Sequence, residues 1–398
     1  MVRLRPTALA ISRTSLALDA AGPHRRLPRS GYMQRPPAFH QAFDGHLLLY
    51  DVFRHADGER VLGIGPPPRN LLALLKASRT VARPSGTPLA LKLYASLSTS
   101  IFEWTGAPAG TEALELQVAD QRFMLPVQPN HSDALSGARL LSTINKNNDL
   151  AWIGYWARWH VQLHRTDTIV LFDNGSDAYP IAAIEETLAG VDGLKAFAVI
   201  DFPHAFGPVD PLVRTDPFWA RFAQIASMSI VLRRFAATAR GFLNCDIDEL
   251  ANPPGDTPIY DSLDRTRAGL LILPGIWVEP DAAPLASIFD HSAFAWTGTE
   301  KERRRTPAKW VLDPRRPWVG NLGVHPYWHS IRGRPMLGKS FLPDAFFWHF
   351  KAINTGWKDA GRASAPIRNA GDICEDTLLR ARHAQLRAPA YARVACAI

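Results

Sequence analysis

The chain has 398 residues, of which 46% are hydrophobic and 21% charged, and its formal net charge is +8 at pH 7. This length exceeds what one hydrophobic core usually supports, so we expect one large and one small domain. The positive charge is concentrated in residues 1–38, at +6, and in residues 301–316, at +5, so the remainder is weakly acidic. A nucleic-acid-binding protein spreads Lys and Arg along one docking face, so this distribution argues against nucleic acid as a partner.

The cysteines and the apolar runs bear on the compartment. Cys245, Cys374 and Cys396 are odd in number and form no CxxC pair, which argues against a disulfide framework and a thiolate zinc site and fits a cytoplasmic protein. No run approaches the roughly 20 apolar residues that span a bilayer, so any membrane contact would be peripheral. Residues 1–38 are Arg-rich, and we expect a disordered tail there rather than a transit peptide.

Short apolar runs broken by turn residues follow this tail. They occupy residues 46–53, 89–94, 113–118 and 121–127, and several of them alternate between apolar and polar residues. Such alternation is typical of strands with one buried face. Residues 39–135 are therefore predicted to form a β-rich accessory domain.

After Asn130 the pattern changes to alternating strands and helices. Residues 138–144, 168–172 and 196–200 are predicted strands, and residues 150–164 carry apolar side chains at helical spacing. This order predicts an α/β domain with a largely parallel sheet over residues 136–385, followed by a C-terminal tail, 386–398.

An acidic motif follows the apolar run 241–243. Asp246 and Asp248 are one residue apart at the predicted carboxyl end of a strand, so both side chains are expected on one side. Glu249 adds a third carboxylate, and three acids beside a buried strand resist ionisation unless a cation or another partner compensates them. Hard cations such as Mn²⁺ and Mg²⁺ prefer oxygen ligands, so the motif predicts a divalent metal site, although isolated Asp pairs also occur on exposed turns.

A second polar cluster, residues 173–177, ends the predicted strand 168–172. Asn-Gly and Asx turns of this kind are common and need no function. An acid at this position of a nucleotide-binding α/β unit is nevertheless placed to accept hydrogen bonds from a base or ribose, which favours Asp173 as a nucleotide-binding residue.

Taken in order, six segments resemble the glycosyltransferases of the A-type (GT-A) fold, in particular their family-92 and family-2-like group. The segments are Trp-Ile-Gly-Tyr at 152–155, Asp-Asn-Gly-Ser-Asp at 173–177, Asp-Ile-Asp-Glu-Leu at 246–250, Lys-Trp-Val-Leu-Asp-Pro at 309–314, Val-His at 324–325 and His-Phe at 349–350. The resemblance covers residues 136–385 and implies a Rossmann-like, mostly parallel α/β fold. Trp156 stands where relatives often have His, and the residues after His349 depart from the usual pattern, so no acceptor contacts are inferred.

The resemblance also implies roles for individual residues. Asp246 and Asp248 would ligate Mn²⁺ or Mg²⁺, and His349, which by itself is more typical of a buried core histidine, would complete the metal site. The donor nucleotide-sugar would be bound by the residues Asp173, Asn174, Ser176, Asp177, Asp246 and Lys309, the last of them at a phosphate.

The expected reaction is inverting transfer of a sugar from a nucleotide-diphosphate donor to a saccharide or glycoconjugate acceptor. Inversion needs a carboxylate base near the acceptor hydroxyl, and Glu249 and Glu279 are the candidates. Two alternatives stay open. One is a metal-dependent phosphohydrolase, which also uses an Asp-x-Asp motif, and the other is an inactive carbohydrate-binding protein with the same fold.

Overall fold

The computed structural model describes residues 5–30, 34–280, 290–356 and 370–387. Up to residue 126 its elements are β1 (Thr7–Ala8), β2 (Leu16–Ala17), α1 (Pro37–Ala42), β3 (Leu47–Leu49), β4 (Asp51–Arg54), β5 (Val61–Gly65), α2 (Leu72–Lys76), β6 (Arg79–Arg83), β7 (Pro88–Ala95), β8 (Ser100–Thr105), β9 (Ala113–Val118) and β10 (Gln121–Pro126). Beyond it they are β11 (Arg139–Asn145), α3 (Leu150–His164), β12 (Thr168–Asp173), α4 (Ile181–Ala189), β13 (Ala196–Asp201), α5 (Phe222–Ile230), β14 (Gly241–Asn244), β15 (Glu249–Asn252), β16 (Leu270–Glu279), β17 (Trp296–Gly298), β18 (Arg305–Leu312), β19 (His325–Pro326), β20 (Ile331–Arg332), β21 (Phe346–Phe350), β22 (Ile373–Glu375) and α6 (Thr377–Arg387).

The first of two main sheets is antiparallel throughout. Its strand order is β10-β9-β6-β7-β8-β5-β4, so most neighbours are close in sequence and joined by short turns. On β9 the buried positions alternate, with Leu114, Leu116 and Val118 facing the core. The predicted strands 89–94, 113–118 and 121–127 correspond to β7, β9 and β10, which the two-residue period of their apolar side chains explains.

The second sheet is mixed. Its order is β1-β13-β12-β11-β14-β18-β16-β17-β22, and β21 pairs with both β16 and β15. The strands β1, β13, β12, β11 and β14 are parallel, whereas the pairs β14–β18, β18–β16, β16–β17 and β17–β22 are antiparallel. Strand β21 is parallel to β16 and antiparallel to β15. Strand makes up 31% of the structure and helix 21%. The expected mostly parallel, Rossmann-like α/β fold of the GT-A type is therefore wrong.

The change of strand direction has a physical reason. Parallel neighbours need a long crossover, and α3 and α4 supply it between β11, β12 and β13. Between β14 and β21 the described residues contain no α-helix. Here β14–β18, β18–β16 and β16–β17 pair antiparallel, whereas β16 and β21 pair parallel. The sequence pattern of a strand does not encode the direction in which the strand pairs. The alternation of strands and helices in residues 138–201 does not continue in the segment after β14.

The N-terminal segment is part of the fold over residues 5–30 rather than a disordered tail. Strand β1 pairs with β13, and Arg26 is buried with its guanidinium donating to the carbonyl of Leu47. Arg35 likewise forms a buried ion pair with Asp210 at 3.0 Å. The predicted C-terminal tail lies, from residue 388 onward, outside the described residues, as does Cys396.

The two sheets share a hydrophobic core. One cluster of buried side chains joins Phe53 and Ile64 of the first sheet to Leu140 and Phe242 of the second. Arg234, in the π-helical turn that follows α5, also forms a buried ion pair with Asp51 at 2.7 Å. The boundary predicted near residue 135 thus coincides with a change of sheet, but apolar packing continues across it.

Candidate functional site

The three acids lie on one turn, which we call the acidic turn, residues 245–249. It connects β14 to β15, and because β14 is parallel to β11, it emerges at the carboxyl edge of the parallel strands. Strand β15 pairs with β21 so that Glu249 is opposite His349, and the backbone N–H of Phe350 donates to the carbonyl of Asp248 at 2.8 Å. Strand β21 thus brings His349 next to Glu249, although the two residues are 100 positions apart in the chain.

A buried lysine compensates part of the negative charge. Lys309 on β18 is almost fully buried, and its ammonium lies 2.8 Å from Asp246 and 3.1 Å from Glu249. Burial by itself would lower the pKa of Lys309, but Asp246 and Glu249 outweigh it and raise that pKa. Burial raises the pKa of Glu249, and Lys309 opposes this shift only in part. Lys309 was predicted to meet a phosphate, and in the structure it contacts the acids themselves.

Three side chains of this cluster could hold a metal ion. Ligand atoms of Asp248, Glu249 and His349 lie within 4.8 Å of one another. His349 Nε2 donates to Asp248 at 3.1 Å, and its Nδ1 lies 3.7 Å from Glu249. Carboxylate oxygens with one imidazole suit Mn²⁺, and three acids against one lysine leave negative charge for a divalent cation to balance. The donor set therefore fits a metal.

This set differs from the predicted one in one member. Asp246, Asp248 and His349 were the predicted ligands, and the structure groups Asp248 and His349 with Glu249. Asp246 instead accepts hydrogen bonds from Lys309 at 2.8 Å and from Gln224 at 3.2 Å. The reason is geometric: β14 ends at Asn244, so the acids sit on a turn where the two-residue alternation of a strand does not hold.

The cluster opens into a pocket of about 280 Å³. Asp246, Glu249, Lys309 and His349 lie on its wall together with side chains that sequence analysis did not single out, namely Phe218, Arg221, Gln224, Trp277, Pro307, Trp328 and His329. The ring of Trp277 stacks on His349 at a centroid distance of 4.2 Å. The indoles of Trp277 and Trp328 give the pocket flat apolar surfaces beside its charges.

Nothing in the local sequence pattern distinguishes the added residues. Arg221 and Gln224 belong to the amphipathic stretch around α5, and their guanidinium and amide groups become meaningful only once Asp246 is placed opposite them. Trp328 and His329 lie in the turn between β19 and β20, and Trp328 is three residues after His325 of the Val-His pair at 324–325. Their proximity to that pair was the one available signal.

The polar cluster at 173–177 forms a closed network. Asp173 is buried, and it accepts hydrogen bonds from the Asn145 amide at 2.8 Å and from the N–H and hydroxyl of Ser176 at 2.9 and 2.6 Å. Asn174 donates to two backbone carbonyls, and Asp177 accepts from Asn147. The cluster lies at the same edge of the sheet as the acidic turn, but none of its four predicted donor-binding residues lines the pocket.

The second predicted base, Glu279, is separate from the pocket wall. It ends β16, is buried, and both of its oxygens accept from the Lys351 ammonium, at 2.7 and 2.6 Å. Trp277, two residues earlier on the same strand, is the residue that reaches His349 and the pocket. Of the two candidate bases, the structure brings Glu249 to the pocket and Glu279 to an ion pair.

Three buried histidines contact the backbone of the acidic turn and of β15, which follows it. His291 Nε2 donates to the carbonyl of Ile247, between the two aspartates, at 2.8 Å. On α3, His164 donates to the carbonyl of Ala251 at 2.9 Å, and His160 accepts from the Ala251 N–H. Burial lowers the pKa of His291 and of His164 to about 4, so both rings are neutral at pH 7. Sequence analysis missed all three.

Comparison of the chain with models of protein families gave no match, and a search among curated proteins gave none either. Across the part of the chain that the structure describes, no helix combines the length and the apolar character needed to cross a membrane.

Proposed function

We propose that the protein is a cytoplasmic, metal-dependent glycosyltransferase that moves a sugar from a nucleotide-diphosphate donor to a saccharide or glycoconjugate acceptor with inversion. One observation carries this proposal: Asp246, Glu249, Lys309 and His349 line one aromatic pocket, and Asp248 lies beside Glu249 and His349. The ordered motifs at 152–350 support the same assignment.

The charges suit a pyrophosphate leaving group. Asp248, Glu249 and His349 would hold a divalent cation, Mn²⁺ or Mg²⁺, which when bound neutralises the donor's phosphates. Lys309 and Arg221 add positive charge on the wall of the same pocket. Fixed positive groups placed where negative charge develops stabilise the transition state more strongly in a buried site than in water.

The aromatic walls suit the organic parts of the substrates. Trp277 and Trp328 offer flat apolar surfaces to a sugar ring or a base. In the transfer step the acceptor oxygen forms a bond to the anomeric carbon while the bond from that carbon to the phosphate oxygen breaks. The nucleoside diphosphate leaves with the electron pair, and the acceptor's proton passes to a carboxylate. Glu249 is the pocket-lining candidate, and it would take the proton through the oxygen that does not hold the cation.

A thermal-stability assay tests this proposal. A panel of nucleoside diphosphates is added with and without Mn²⁺ to the wild type, Asp246→Ala and Asp248→Ala, with Asp264→Ala as a control because that carboxylate is largely exposed. One nucleotide should raise the melting midpoint only with the metal, and both site variants should lose the shift while the control keeps it. Product analysis that found the donor's anomeric configuration retained would contradict inversion.

A second candidate is an inactive, metal-independent saccharide-binding protein. It is favoured by the position of Lys309, which already compensates Asp246 and Glu249 without a metal. In that case the folded protein would show no shift with any nucleotide and Mn²⁺, and an oligosaccharide would stabilise it equally with and without the metal.

A further inference from the structure

An exposed apolar tip lies outside the pocket, on the loop 333–344 between β20 and β21. Among the described residues, the three most exposed large hydrophobic side chains all belong to it: Met336 is 89% exposed, Leu337 65% and Phe341 62%. Exposed apolar residues scattered singly are normal on a protein surface, but three within six positions form a patch that indicates a binding surface.

The loop is anchored at its base. The N–H of Ser340 donates to the carbonyl of Leu270 at 3.1 Å, and the N–H of Ile272 donates to the carbonyl of Ser340 at 2.9 Å, so the loop is attached to β16. Gly338 is buried and donates to the carbonyl of Pro335 at 2.9 Å. These contacts hold the backbone on both sides of Met336 and Leu337 while the side chains stay in water.

Basic residues accompany the apolar side chains of the loop. The loop 333–344 contains Arg334 and Lys339, and its one acidic residue, Asp344, lies at the end next to β21. Arg334 and Lys339 flank the apolar side chains directly, and Lys339 is exposed. Apolar side chains beside basic ones are the combination that binds the interface of an anionic bilayer, whereas Lys is depleted at protein–protein interfaces.

We infer that the loop 333–344 docks the protein on an anionic lipid surface, with Met336, Leu337 and Phe341 entering the headgroup region and Arg334 and Lys339 meeting lipid phosphates. The loop follows β20, next to the turn that carries Trp328 and His329, and leads into β21, which carries His349. Docking would therefore hold the pocket close to the bilayer. The inference concerns a surface that the proposed function does not use, and its test needs neither nucleotide nor metal.

Co-sedimentation with vesicles tests the docking. The full chain is mixed with vesicles of phosphatidylcholine alone or of phosphatidylcholine with phosphatidylglycerol, at low and at high salt. The variants are Met336→Ser/Leu337→Ser/Phe341→Ser and Arg334→Gln/Lys339→Gln. The matched control is Arg122→Gln/Met124→Ser on β10, where Met124 is 56% exposed and its basic neighbour is also exposed. Melting midpoints verify that each variant is folded.

The wild type and the control should sediment with the anionic vesicles at low salt and much less at high salt. The serine variant should lose this binding, and the glutamine variant should weaken by about fivefold for each charge removed, on the order of 25-fold in all. Equal sedimentation of the folded serine variant, or no binding of the wild type to anionic vesicles, overturns the proposal. Concentration-dependent dimers that the serine substitutions abolish, without vesicle binding, would assign the patch to a protein partner instead.

Discussion

The ammonium of Lys309 lies 2.8 Å from the carboxylate of Asp246, and it bridges that carboxylate to Glu249 at 3.1 Å. This buried positive charge is what permits three acids on one short turn. Without it, Asp246 and Glu249 would lose the buried ammonium that both carboxylates contact.

The substitution Lys309→Met should therefore destabilise the protein strongly. Removing one partner of a buried ion pair costs about 3–5 kcal/mol, and we expect this loss in the free energy of unfolding by urea at pH 7. Part of it should be recovered at lower pH, because Glu249 can then take up a proton. The control is Lys195→Met, whose ammonium is 77% exposed and 3.4 Å from Asp167. A loss for Lys309→Met no larger than for this surface variant would contradict the structural role.

Acid should loosen the histidine support of the acidic turn. His164 and His291 have a folded-state pKa of about 4, below the value of 6.5 for an exposed histidine. Below pH 6.5 the unfolded chain binds protons that the folded chain does not, so stability is fully present above that pH and falls as the pH decreases toward 4. The slope is up to about 1.4 kcal/mol per pH unit for each ring.

Urea denaturation from pH 7 to pH 5 measures this slope. His291→Gln can still donate to the carbonyl of Ile247 but cannot titrate, so its unfolding free energy should depend less steeply on pH than that of the wild type. The control is His24→Gln, because the His24 side chain is partly exposed. An unchanged slope in His291→Gln would show that this ring does not carry the pH dependence.

Substitutions in the hydrogen-bond network of Asp173 distinguish a structural role of this residue from a role in binding the donor. In Asp173→Asn, an amide group must face the donors Asn145 and Ser176, which should cost about 1–3 kcal/mol of stability. Asp177→Asn changes an exposed carboxylate of the same turn. It should cost less than about 1 kcal/mol, because substitutions on the surface usually have small effects on stability. If Asp173 contacts the nucleotide, Asp173→Asn also loses the nucleotide-dependent thermal shift; a retained shift would assign it to the fold alone.

Local elements of this protein follow from its sequence, but their partners do not. The helix α3 and the strands β11, β12 and β13 occupy the predicted residues, because their apolar side chains have the period of 3.6 or the continuous burial that those elements require. Strand direction beyond β14 was wrong, because it is decided by connections and not by the pattern within a strand. Sequence analysis thus identified the elements of one half of the sheet and misjudged how the other half is joined.

The same distinction applies to the site. Asp248 was predicted as a ligand from residue type and spacing, and His349 from the family resemblance; the structure brings the two within hydrogen-bonding distance. The contact between Lys309 and Asp246 joins positions 63 residues apart and depends on the antiparallel pairing of β14 with β18. A pattern along the chain reveals neither that pairing nor the pairing of β15 with β21. The second pairing places Glu249 opposite His349, so a residue predicted only as a base also belongs to the metal-capable group.

Glu249 and Glu279, the two predicted bases, should respond differently to substitution. Both oxygens of Glu279 are held by Lys351, so Glu279→Gln should lower stability and leave the stability-corrected transfer rate unchanged. Adding Lys351→Met should restore part of the stability, because no buried charge is then left without its partner. Glu249→Gln should lower the rate by roughly 100- to 10,000-fold, because it removes the pocket-lining candidate base and also one carboxylate of the group that would hold the metal. The rates are measured at saturating donor, with the nucleotide-sugar that the thermal assay identifies. A loss in Glu279→Gln as large as in Glu249→Gln would make Glu279 the base and would require β16 to present it to the pocket in the substrate complex.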